Sequence, residues 1–146
     1  MRSLFAPWHE QKIVVTGATS GIGLVIVQPL LERGAQVFGV GRNLAQLEEV
    51  VQQYPEQLHL HSADLLDLQI ARNILSCAKN ELGAITGLIC AAGAIEHQVF
   101  GETEDAAWAR QLDLNLRVPT ILLEQALETL LVQRLIRITK KIKKIR

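Results

Sequence analysis

The stretch VVTGATSGIG, Val14 to Gly23, sets three glycines at spacings of four and two directly behind a run of β-branched residues. KIVVT (12–16) is a continuous apolar run stopped by glycine, the pattern of a strand covered on both faces. GIGLVIVQPLLERG follows as a helix closed by Gly34. This order aims the free N–H groups and the positive dipole end of a helix at the space beyond a strand's carboxyl end, where an anion is held. By position, Gly17 permits the tight turn, Gly21 lets the backbone approach a pyrophosphate, and Gly23 brings the helix close to the strand. A βα turn that binds nothing has no use for three glycines, whose ordering costs more backbone entropy than that of any other residue. A Walker loop is excluded because no Lys-Ser/Thr follows the glycines.

Outward from this turn, strands and helices alternate. AQVFGVG (35–41) is a second strand, and NLAQLEEVVQQY an amphipathic helix that Asn43 caps and Pro55 ends. QLHLHSA reads as the third strand, DLQIARNILSCAKNELG as a third helix ending at Gly83, and ITGLICAAG (85–93) as a fourth strand entering a glycine turn. ETEDAAWARQLDLNLRVPTILLEQALETLL carries one or two long helical stretches. Alternation of this kind implies right-handed crossovers, hence an α/β fold with a doubly wound, Rossmann-like parallel sheet, here ending after about strand four or five. Pro29 stands inside the first helix and removes one of its hydrogen bonds, a cost of about 3 kcal/mol unless the helix kinks.

The 146 residues, 49% of them hydrophobic, suffice for one domain with a real core. No run reaches the roughly 18 to 20 apolar residues of a membrane span, and the first twelve residues lack the features of a signal peptide, so a cytoplasmic address is expected. Cys77 and Cys90 form no C-x-x-C or Cys/His cluster, which argues against a disulfide framework and a zinc site. His59 and His61 share a strand face but lack a third ligand nearby in sequence, so no metal is expected.

Net charge is zero, yet seven of the 15 basic residues fall in 134–146 among no acids, leaving eight basic against 15 acidic residues before them. With the glycine turn of 14–23 as its ligand site, the stretch 1–133 reads as a dinucleotide-binding, Rossmann-type domain, and the charge break marks 134–146 as a basic tail or the remnant of a fifth strand. LIRIT (135–139) alternates as a strand does, while Leu131, Leu135, Ile138, Ile142 and Ile145 also mark a helical seam. A basic amphipathic segment suits an acidic membrane surface, RNA or an acidic partner. No aromatic residue interleaves with these charges, which favours a solvated tail over a nucleic-acid or membrane contact.

TGATSGIG resembles the T-G-x-x-x-G-x-G fingerprint of the short-chain dehydrogenase/reductase family, and further matches follow in order. Asp64 in SADLLD resembles the aspartate that contacts the adenine ring, CAAG (90–93) the N-N-A-G segment, and Asn115 in LDLNL the asparagine of the Asn-Ser-Tyr-Lys tetrad. The resemblance covers residues 10 to 133. It implies a nicotinamide dinucleotide bound by Thr16, Gly17, Thr19, Ser20, Gly21, Ile22 and Gly23 in the first turn and by Arg42, Asp64 and Leu65 after the next strands. Cys90, Ala91, Ala92 and Gly93 complete that set. At the end of strand two, where NAD sites place an acid for the ribose 2′-hydroxyl, stand Gly41 and then Arg42, which favours NADP over NAD.

The resemblance also implies an oxidoreductase acting on a small carbonyl or alcohol, with a serine and a Tyr-x-x-x-Lys as proton-handling groups. Tyr54 is the one tyrosine in the sequence, it begins no Tyr-x-x-x-Lys, and no serine follows Ser76. The chain is thus expected to be catalytically incomplete, as a truncated or frame-shifted product would be, or to act as a dinucleotide-binding or dimerising module. Asn115 has two readings, the remaining tetrad position or an amide that stabilises a helix irregularity before Pro119. Glu96 and His97 line the nicotinamide end of the cleft or form an exposed loop pair. In the family the helix that holds Asn115 helps build a subunit interface, so residues around 107–131 are expected to support a homo-oligomer.

Overall fold

The computed structural model describes residues 7–97, 99, 101–127 and 129–130. Four parallel strands, β1 (Lys12–Thr16), β2 (Gln36–Gly41), β3 (Leu58–Ser62) and β4 (Gly87–Cys90), lie in the order β3-β2-β1-β4. The chain thus moves outward from β1 to β2 and β3, then crosses back to place β4 on the other side of β1. That reversal opens a crevice at the carboxyl ends of β1 and β4, the place where open α/β sheets bind ligands.

Helices cover both faces because the strands are apolar on both. Ile13, Val15 and Val37 pack under α1 (Gly21–Glu32) and α2 (Glu48–Gln53), joined by Val27, Leu30 and Leu31. On the opposite face Val14, Phe38 and Val40 meet Ile74, Leu75 and Ala78 of α3 (Leu68–Leu82), with Val118, Leu122 and Ala126. Gly34 and Gly83, at positive φ after α1 and α3, end those helices where the sequence puts their stops. Asp67 caps α3 by accepting from the Gln69 and Ile70 amides.

Three sequence expectations are refined. α1 runs through Pro29, which lies on its exposed side, so the lost hydrogen bond does not end the helix. The expected second helix starts as a short 3-10 turn, Ala45–Leu47, whose first amide donates to Asn43 Oδ1 at 3.0 Å. The long last helix is interrupted: α4 (Asp105–Leu112) passes through a π turn (Asp113–Arg117) into α5 (118–127). Pro119 has no N–H to donate to the Asn115 carbonyl four residues back, and the widened turn falls there. The tail 134–146, and with it the strand expected at 135–139, lies outside the described residues. No helix among the described residues is long and apolar enough to cross a membrane.

Candidate cofactor site

Strand register brings the separate motifs to one edge. Thr16 pairs with Val40 on one side and Cys90 on the other, so Gly17, Gly41 and Ala91 follow side by side. Backbone bonds fix them there: Ala18 N–H donates to Val40 O at 3.0 Å, Ala91 N–H to Thr16 O at 3.1 Å, and Ala63 N–H to Gly41 O at 3.0 Å. The buried Thr16 hydroxyl accepts from Ala92 N–H at 3.3 Å, tying the fourth-strand turn to the first.

A cleft of about 620 Å³ opens above this edge. Gly17, Thr19 and Ser20 line it from the first turn, Arg42 from the end of β2, and Asp64 and Leu65 from beyond β3. Ala91, Ala92 and Gly93 form its side beyond β4. The other expected residues play different parts. Thr16 and Gly23 are buried beneath the cleft, while Ile22 at the start of α1 is largely exposed. Cys90 ends β4 outside the lining, and partial desolvation pushes its thiol pKa up, the direction opposite to that of an activated nucleophile.

Gly17 and Gly23 pack where a side chain would not fit. A β-carbon on Gly17 would lie 2.6 Å from Ala92 N, and one on Gly23 2.1 Å from Gly17 O, so the turn closes only without side chains. Gly21, at φ +50°, has nothing within 4 Å of such a carbon, leaving its backbone open to a ligand. Ser20 precedes α1 without capping it, whereas Asp67 caps α3. The first amides of α1 thus lack the side-chain acceptor that α3 has, which fits a site where an anion is to be held. An uncapped helix start beside a cleft lined by Arg42 and Asp64 suits a ligand that carries phosphate groups.

Asn115 reaches across to the loop after β4. Its Oδ1 accepts from Ala94 N–H at 2.9 Å and its Nδ2 donates to Ala94 O at 2.7 Å. The helix irregularity expected before Pro119 is therefore present, but the amide serves the neighbouring loop. Glu96 lines the cleft and makes a two-point ion pair with Arg110, at 2.8 and 2.7 Å, while its N–H donates to Gln111 Oε1 at 3.2 Å. Hydrogen bonding from Arg110 holds the Glu96 carboxyl below the usual carboxylate range, against a smaller opposing effect of desolvation. His97 is exposed, as the loop reading has it. Arg110 and Gln111 were not read from the sequence as site residues. Their signal was faint: Gln111 stands four residues before Asn115 and so shares its helix face.

His59 contacts Glu81 at 3.5 Å and His61 stacks on Phe38, and among the described residues no His/Cys/Asp/Glu group is arranged to hold a metal.

A glycine turn at the switch point of a parallel sheet, with a cleft lined from all four strand ends, defines a nucleotide-binding α/β domain. The short chain dehydrogenase profile matches residues 11–139, and the chain belongs to that family. It is 31% identical over 124 residues to an uncharacterized oxidoreductase of Staphylococcus epidermidis, covering 85% of this chain and 54% of that one. A short-chain dehydrogenase/reductase of Cladobotryum, FrzI, is 29% identical over 83% of this chain and 48% of its own length. The crystal structure of a glucose/ribitol-type short-chain dehydrogenase/reductase from Brucella melitensis superposes with TM-score 0.75 at 28% identity, covering 82% of this chain and 52% of that one. This chain spans about half the length of the curated relatives it matches. Family membership implies a nicotinamide dinucleotide as the ligand class.

Proposed function

We propose that residues 1–133 form the NADP-binding part of a cytoplasmic short-chain oxidoreductase, in which Arg42 holds the adenosine 2′-phosphate. The observation that carries this reading is the end of β2: bare Gly41 and then Arg42, whose residue lines the cleft and, among the described residues, has no carboxylate partner. A guanidinium pairs with a phosphate in two-point fashion, whereas an acid at this edge would repel it. Thr19, Ser20 and the amides of Gly21 and Ile22 hold the pyrophosphate, and Asp64 faces the adenine. Gly93 and Ala94, fixed by Asn115, orient the nicotinamide end.

Bound NADP(H) supplies hydride chemistry on a carbonyl or alcohol. This chain contributes binding and orientation, and its sequence includes no Tyr-x-x-x-Lys to move the proton. Arg42→Ala is expected to weaken NADPH by roughly ten- to a hundredfold, the equivalent of about 1.5–3 kcal/mol for hydrogen bonds to a charged group, with NADH affinity unchanged. Isothermal titration of both dinucleotides checks it, and an equal loss for the two removes the 2′-phosphate assignment.

A second reading, association, draws support from another observation. Trp108, Leu112, Leu116, Leu123 and Leu127 follow one another along α4, the π turn and α5, each more than half exposed. Contiguous apolar surface of this kind marks an interface, and it falls within the helix region 107–131 expected to pair subunits. Sedimentation at rising concentration is expected to show a dimer that Leu116→Glu dissociates; a strict monomer at millimolar concentration excludes this use of the face.

A further inference from the structure

Cofactor choice in a fold of this kind turns on what stands at the end of β2, and here that position is shaped by a residue from a different turn. Val37, Gly39 and Gly41 alternate onto the α1 side of the sheet. Above the two glycines lies the first turn itself. A β-carbon on Gly39 would meet the Ala18 methyl at 3.2 Å, and one on Gly41 would meet Thr19 Oγ1 at 2.4 Å, Cγ2 at 2.6 Å and Cβ at 3.0 Å. Ala18 N–H donating to Val40 O locks this stacking. Thr19 therefore fills the volume into which any side chain at 41 must grow, and both residues line the cleft beside Arg42.

We propose that Thr19 is a specificity-determining residue: by occupying the space over Gly41 it bars a carboxylate from that position, so the choice of NADP over NAD rests on the Thr19–Gly41 pair together with Arg42. This inference rests on the cofactor reading above. Its distinct consequence is that an acid introduced at 41 is accommodated only after Thr19 is cut back. Thr19→Ala removes Oγ1 and Cγ2, the two nearest obstructing atoms, and leaves the Cβ at 3.0 Å.

The test is a four-member cycle of the full chain: parent, Thr19→Ala, Gly41→Asp and the double variant, each titrated with NADPH and NADH and each melted without ligand. Gly41→Asp alone is expected to melt below the parent and to bind both dinucleotides at least tenfold more weakly. The double variant is expected to regain the melting midpoint of Thr19→Ala and to bind NADH at least tenfold more tightly than the parent does, with NADPH weakened by as much or more. Gly41→Ala, which adds the methyl alone, supplies the same cycle in midpoints and NADPH affinity should the aspartate variant not fold. Additive effects of the two substitutions, or NADH affinity gained by Gly41→Asp without truncation of Thr19, overturn the proposal while leaving the cofactor reading intact. Failure of the parent to bind either dinucleotide overturns both.

Discussion

Gly17→Val is expected to abolish dinucleotide binding and to destabilise the whole domain. Gly17 sits at φ +67°, a left-handed conformation whose cost to a side-chain-bearing residue is about 1–3 kcal/mol. Strain is the smaller part. The new β-carbon lands 2.6 Å from Ala92 N and 2.7 Å from Ala91 C, atoms of main chain and not of a side chain that can swing away. That main chain is itself held, since Ala91 and Ala92 both donate to Thr16. Relief thus requires β4 to separate from β1 at the carboxyl edge, which also dismantles the cleft. Against a typical total of about 5–15 kcal/mol, the loss leaves a partly unfolded population. Urea unfolding and NADPH titration should change together, and a variant with the parent's midpoint contradicts the close packing of Gly17 on the fourth-strand turn.

Leu122→Ala is expected to separate those two readouts. Leu122 is wholly buried in the cluster that joins α5 to α3 and the sheet, and it lines no part of the cleft. Truncating a leucine in such a place costs about 2–5 kcal/mol, depending on how far the surroundings relax into the space. The unfolding midpoint should therefore fall steeply while NADPH affinity, measured well below that midpoint, stays near the parent value. A loss below about 1 kcal/mol, well short of the range for buried leucines, indicates that α5 is not packed on this core.

Much of this chain was legible because its signals are local. The β-branched run before Gly17 and the two positive-φ glycines that stop α1 and α3 each act within a few residues, and each falls where the pattern places it. The break in the last helix was also legible, since proline lacks a donor wherever it stands. Less was legible at the cleft. That Glu96 would find Arg110, fourteen residues on, depends on how the loop after β4 folds over α4, and no spacing rule encodes that. The sequence offers Asn115 as the remaining tetrad position or as an amide that steadies its own helix, whereas the hydrogen-bond partner of its side chain is Ala94, twenty-one residues earlier.

The sequence by itself determined the turn that can receive a phosphate, the order of strands and helices, and the cation at the end of the second strand. Only the tertiary structure decided that Asn115 ties down the loop at Ala94 and that Thr19 comes to rest on the bare backbone of Gly41. The physical reason is range. Backbone preferences and hydrophobic period are set by neighbours in the chain, but excluded volume acts between whatever the sheet brings side by side, here residues twenty-two positions apart.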